Sequence, residues 1–322
     1  MTLPDLRQHD LLHVPWDDPA FSYVISLIVL ALGLAALGLA IFTTRGRGGA
    51  APRTLWARRL TWAVLAPLFA ITVFSGLLPV ALLMALFALE ATREWGDLLD
   101  LPQRHRALLA VYSVVAVSLA LFGAAALLAT IPLLLLAAML QPVMRPDTQR
   151  GMRDLAFGAL GFAYLPLLLS FGVLMVRDIP NGAALLFMTG VAASASDIGA
   201  YIAGKTIGRR PLAPQLSPNK TIGGVLGNVL GPLLAIVLLL PILPGATPLR
   251  VVVLAIVIAV AAVWGDLFSS ALKREAGVKD AGHWLPGFGG LLDRIDSFVL
   301  AVPLVYYAVG LVGTITSTVE KT

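Results

Sequence analysis

Apolar runs long enough to cross a bilayer recur along this chain, and they limit its fold more than any other feature. Residues 21–44 read FSYVISLIVLALGLAALGLAIFTT and residues 251–264 read VVVLAIVIAVAAVW, with no charged residue in either. About 20 consecutive apolar residues cross the hydrocarbon core as a helix. Inside that core every backbone N–H and C=O must be paired internally, which a helix does within its own segment. Composition agrees: 58% of the 322 residues are hydrophobic and 13% are charged, against about 25% charged in soluble domains. The expectation is an all-α, polytopic integral membrane bundle of one domain. About ten transmembrane helices are predicted, at 21–43, 60–75, 77–92, 107–122, 124–141, 155–175, 182–204, 221–241, 248–271 and 291–314. The turn signals SGLLP and FGAAA favour two spans each over 60–92 and 107–141.

The predicted organisation is an extramembrane N-terminal segment at 1–20, N-terminal transmembrane helices at 21–154, a catalytic transmembrane region at 155–314 with loops 205–220 and 272–290, and a tail at 315–322. The start, MTLPDLRQHDLLHVPWDDPA, is acidic and lacks the basic region of a signal peptide, so it is expected to remain. If ten spans alternate, one side of the membrane receives 19 of the 23 Lys and Arg residues, and Arg7, Arg177, Arg250 and Lys321 are left for the other. The positive-inside rule makes the rich side the cytoplasm. The net charge of +5 is therefore spread over short loops beside apolar helices, which argues against a nucleic-acid partner. With no cysteine there is no disulfide, thiolate metal site or catalytic thiol.

Ionisable groups inside spans cost about 2.5–3.5 kcal/mol near the bilayer centre and are functional candidates by default. Asp197 lies in ASASDIGAYIAGK, Asp266 in VWGDLFSSALKR, and Asp293 and Asp296 open the last span. Asp266, Ser269, Ser270 and Lys273 are spaced i, i+3, i+4 and i+7, which places them on one helix face. Asp293 and Asp296 share a face, with Arg294 turned away, and their place in a first turn suits the helix dipole. A bland reading pairs these carboxylates with Lys273, Arg274 and Arg294 at the membrane surface. Several carboxylates at one depth repel one another unless they share a cation, and an oxygen-only set points to Mg²⁺ or a similar hard ion.

Two basic loops accompany them. GKTIGRRPLAPQLSPNKTIGG, residues 204–224, carries four basic residues and three prolines and is expected to be a rigid, non-helical loop. Ser217 is placed to cap the helix that follows, with Lys220, Thr221 and the amides near Gly223 and Gly224 offered to an anion. The spacing GxxxxGK[ST] of a P-loop is absent. The second loop runs through Lys273, Arg274, Lys279 and Asp280, then Pro286, Gly287, Gly289 and Gly290, to Asp293. Together the two loops and the carboxylates describe a polyphosphate and metal site that a lipid headgroup can enter from the side. Phosphoryl or nucleotidyl transfer needs chiefly positioning and charge neutralisation, which this supplies.

These residues resemble the phosphatidate cytidylyltransferases, the CDP-diacylglycerol synthases. Ser270, Leu272, Lys273, Arg274, Lys279, Asp280, Gly282, Leu285, Pro286, Gly289, Gly290, Asp293, Arg294, Ile295 and Asp296 keep the spacing of the family signature. SDIGAYIAGKTIGRRPLAPQLSPNKT is similar to a second family block through Asp197, Tyr201, Gly204, Gly208, Ser217, Pro218, Lys220 and Thr221. Phe288 stands where the family usually has His, and Gly223 where it usually has Glu; His283 lies five residues before Phe288 in the same loop. The resemblance implies transfer of a cytidylyl group from CTP to phosphatidic acid. It also implies Mg²⁺, with room for a second cation, held by Asp266 and Asp293, with Asp296 and Asp280 as further ligands or supporting groups. Asp197 would orient nucleotide or metal. Lys220, Lys273, Arg274 and Lys279 would hold phosphates and Ser270 would donate a hydrogen bond, with Ser217, Thr221, Gly289, Gly290 and Arg294 also lining the substrate site. The implied location is a bacterial inner membrane with the site facing the cytoplasm, among membrane lipids; a homodimer is allowed. Alternatives are a CTP-dependent transferase or kinase acting on another lipid, an inactive homologue, or a transporter relaying protons through buried carboxylates. The DGxxAR motif of the CDP-alcohol phosphotransferases is absent.

Overall fold

The computed structural model describes residues 11–44, 52–143, 148–278, 281–282 and 289–319. Among them are twelve helices: α1 (Pro19–Thr44), α2 (Pro52–Phe74), α3 (Leu77–Leu98), α4 (Gln103–Ala120), α5 (Ala124–Leu128), α6 (Thr130–Val143), α7 (Thr148–Tyr164), α8 (Pro166–Asp178), α9 (Gly182–Thr206), α10 (Ile222–Leu238), α11 (Pro248–Glu275) and α12 (Leu292–Val319). Five segments are long and apolar enough to cross a membrane: Pro19–Gly38, Gly151–Asp178, Gly182–Thr206, Pro248–Glu275 and Leu292–Leu311. Shorter apolar helices cover Thr61–Phe74, Ala124–Leu136 and Ile222–Leu238. The chain is thus an all-α integral membrane protein with one small exception.

That exception is an antiparallel hairpin, β1 (Pro211–Ala213) and β2 (Ser217–Thr221), within the stretch expected from the sequence to be a rigid, non-helical loop. Its strands register Pro211 with Thr221 and Ala213 with Ser217. The hairpin corrects the expected role of Ser217 as a helix cap, because Ser217 starts β2. The cap of α10 is Thr221, whose hydroxyl oxygen accepts the Gly224 amide at 3.1 Å. Proline explains two further differences. The predicted helix 155–175 bends at Leu165, where Pro166 opens α8 without an N–H to donate. The predicted helix 124–141 divides at Ala129, three residues before Pro132. The turns at Gly76 and Gly123 fall where the sequence places them, each glycine at a positive φ of about 110° that a side chain would resist.

The core lies between α3, α4, α8, α9, α11 and α12, with Met84, Trp95, Leu169, Met175, Leu186, Ile258 and Val302 all fully or nearly fully buried. α1 lies at its edge, contributing Phe21 and Val24 to it, with Phe21 against Phe74 and Tyr23 Oη donating to the Leu238 carbonyl at 2.8 Å. α9 and α10 pack backbone to backbone, since a Cβ on Gly227 would overlap the Gly199 carbonyl and one on Gly231 that of Ala195. This is the small-residue packing that membrane helices use where lipid offers no hydrophobic drive for association. It brings Asp197 and the hairpin to the same end of the bundle.

Candidate active site

The site forms where α9, the hairpin, α11 and α12 meet. From β2, Lys220 reaches across to Asp266 on α11, Nζ to Oδ2 2.5 Å. Two turns further along α11, Lys273 binds Asp293 on α12, Nζ to Oδ1 2.6 Å. The other oxygen of Asp293 accepts the Ala281 amide at 2.9 Å. The pairing of Lys273 with a carboxylate is the one the bland reading foresees, whereas the Lys220 partner lies on a different loop from any it considers. The first pair keeps 23% and 37% of its side-chain surface accessible and the second 16% and 7%. The first is therefore the pair more open to an approaching ligand.

Deeper in, Asp296 is 6% exposed and its Oδ1 accepts the Ser297 amide at 2.7 Å. The Ser297 hydroxyl reaches both oxygens of Asp197 at 3.4 and 3.5 Å, joining α12 to α9. Asp197, Asp266 and Asp296 lie within electrostatic reach of one another, and Arg294, exposed and one residue past Asp293, lies within reach of Asp197. Ser269, one turn after Asp266, is 2% exposed, and its hydroxyl has no hydrogen-bond partner. Ser270 is half-buried, Arg274 is exposed, Gly289 has φ +83° and Gly290 is buried against the Glu94 carboxylate and the Gly282 amide. Lys279, Asp280, His283 and Phe288 lie outside the described residues. Beneath the site Tyr164, Phe268 and Trp95 form an aromatic cluster, Phe268 stacked on Trp95 and edge-on to Tyr164, and Tyr164 Oη donates to the Asp296 carbonyl at 3.4 Å.

The donor chemistry fits a hard cation that is shared with a ligand. Among the described residues no three His, Asp or Glu side chains close into a metal cage. Mg²⁺ seldom asks for one: it usually takes one or two carboxylates and completes its octahedron with water and substrate phosphate. Asp197, Asp266 and Asp296, within electrostatic reach of one another and with the unpartnered Ser269 hydroxyl one turn from Asp266, would offer donors for such a partial set.

Glu94, on α3, is not foreseen from the sequence. It is 1% exposed, and its two oxygens accept the amides of Leu291 at 2.9 Å and Leu292 at 2.8 Å. A signal was present: Met84, Ala88, Ala91 and Trp95 form a buried stripe, and Glu94 falls on the same side among them. A carboxylate there needs a partner. Gly223 also acquires a physical reason, because a Cβ there would come within 2.9 Å of the Gly208 Cα. The close approach of the backbone just after α9 to the start of α10 therefore leaves no room for a larger residue.

A sequence model of the cytidylyltransferase family matches residues 56–312. The chain belongs to that family. Its relatives include a phosphatidate cytidylyltransferase of Mycobacterium leprae, 35% identical over 47% of this chain and 48% of the relative. Another of the same name from Pseudomonas aeruginosa is 46% identical over 45% of this chain and 55% of the relative. A third, from Bacillus subtilis, is 35% identical over 42% and 51%. The chain spans about half the length of the curated relatives it matches. The family match begins beyond α1, in keeping with that helix's place at the edge of the bundle.

Proposed function

We propose that this protein is a phosphatidate cytidylyltransferase: it transfers CMP from CTP to phosphatidic acid, giving CDP-diacylglycerol and pyrophosphate. The observation that carries the reading is the paired arrangement Lys220–Asp266 and Lys273–Asp293 on adjoining elements beside Asp197 and Asp296. It combines cations for phosphates with carboxylates for a hard metal at one end of apolar helices. A phosphate oxygen of the lipid attacks the α-phosphorus of CTP as the bond to the β-phosphate oxygen breaks. The lipid phosphate is already anionic at neutral pH, so no general base is needed.

Lys220, Lys273, Arg274 and Lys279 bind the nucleotide and lipid phosphates, and Arg294 adds positive charge near Asp197. Asp266 and Asp293 would hold Mg²⁺, with Asp296 as a further ligand or supporting group, and a second cation would draw on Asp197. When bound, the metal neutralises charge on the reacting and departing phosphates. Ser270 donates to a phosphate, Asp280 supports the loop, and Ser217, Thr221, Gly289 and Gly290 shape the backbone around the substrates. Counted over ten alternating spans, the positive-inside asymmetry favours a cytoplasmic site, and a bacterial inner membrane is the location the family resemblance implies. The test is incubation of purified protein in liposomes with radiolabelled CTP, Mg²⁺ and phosphatidic acid, beside Asp293→Asn. Wild type is expected to form a CDP-lipid and the variant to lose the activity. Equal activity in the variant would remove Asp293 from the site, and no CDP-lipid with any lipid phosphate would overturn the reading.

A further inference from the structure

We infer that Glu94 is a positioning residue: a buried carboxylate on which Gly282, Gly290, Leu291 and Leu292 converge, and through which α3 sets the placement of Asp293 and Lys273. The argument rests on the transferase reading for its catalytic consequence, though its geometry stands apart from it. Both oxygens of Glu94 are engaged, Oε1 by the Leu291 amide and Oε2 by the Leu292 amide. These amides enter α12 and, as orphan donors at a helix start, would otherwise need water or an anion. The helix dipole there favours negative charge. Glu94 satisfies that demand from within the protein, so the start of α12 is closed to a substrate phosphate and phosphate binding falls to the lysines and arginines.

Both ends of the loop converge on the same group. A Cβ added at Gly282 would come within 2.6 Å of Glu94 Oε1, and one at Gly290 within 2.5 Å of Oε2. Glycine at both positions lets the backbone pass against the carboxylate. The residue after Gly290–Leu292 is Asp293, held by Lys273 and by the amide of Ala281, which is the neighbour of Gly282. Glu94 thus touches residues 282, 290, 291 and 292, each within a short step of the Lys273–Asp293–Ala281 junction. Moving this carboxylate displaces both sides of that junction together. Displacements of about 1 Å can cost about 100-fold in rate while leaving remote binding contacts intact.

The experiment uses the full chain in detergent or liposomes, with Glu94→Gln and Gly282→Ala compared with wild type. Glu94→Gln keeps the shape but turns an amide NH₂ toward one of the two N–H donors. Gly282→Ala leaves Glu94 in place and pushes its carboxylate. Two readouts are taken: hydrogen exchange of the amides across 289–296, and kcat and KM for CTP. The expected result is faster exchange confined to 289–296 in both variants, with kcat lower by about 100-fold and KM within about twofold. Sodium formate, which can enter the space left in Glu94→Ala, should restore part of kcat where chloride does not. Unchanged exchange in Glu94→Gln would overturn the inference whether or not the protein is active. So would wild-type kcat, or a loss confined to KM. A wild type without CDP-lipid synthesis would instead overturn the transferase reading, and the exchange result would still decide the structural role of Glu94.

Discussion

Lys220 and Lys273 each hold an ammonium group against a carboxylate, so on the proposed function a substrate phosphate meets cations already in place rather than free side chains searching solvent. Preorganised charge of this kind is commonly the largest contribution to transferase catalysis. Asp266→Asn and Lys220→Met are each expected to lower kcat by about 100-fold or more with little change in melting temperature, checked by initial rates alongside thermal unfolding. Gly223→Glu, which installs the residue more usual in the family, is expected to lower stability by about 1–3 kcal/mol because its Cβ meets the Gly208 backbone. Thermal unfolding in detergent checks this, and a rise in stability would contradict it. The charged residues were legible in the sequence because an ionisable side chain between apolar runs has few cheap explanations. Glu94 was not, since its partners lie 197 and 198 residues away and no local spacing connects them.

At the level of elements, the site depends on how closely α9 and α10 approach. Gly227 faces the Gly199 carbonyl with no space for a methyl group. Gly227→Leu is therefore expected to separate the two helices, lowering stability by more than the roughly 1–3 kcal/mol of ordinary overpacking and moving Asp197 away from Ser297. A melting temperature equal to wild type would contradict the packing account. Helix positions were readable from apolar run length and from the turns at Gly76 and Gly123. The hairpin was not, because three prolines and four basic residues over 204–224 describe any polar loop. Its pairing shows only in the register of Pro211 with Thr221. The bend at Leu165 was readable in principle from Pro166, but the unbroken apolar run over 155–175 masks it.

At the scale of the whole molecule, 19 of the 23 lysines and arginines gather at one membrane face over the ten predicted spans, beside the carboxylates of the site. The absence of cysteine makes the arrangement easy to probe. A single Gln215→Cys in the hairpin should react with an impermeant maleimide in inverted vesicles and not in right-side-out ones; Pro244→Cys, between α10 and α11, should show the reverse. Labelling of both from one side would contradict the topology. The central claim is cytidylyl transfer to a lipid phosphate, and the origin of the label in the product tests it most directly. With purified protein, Mg²⁺ and phosphatidic acid in liposomes, CTP labelled at the α-phosphate should yield labelled lipid and CTP labelled at the γ-phosphate should release the label as pyrophosphate. Label entering the lipid from the γ-phosphate would mean a kinase, and label entering from neither would contradict the account.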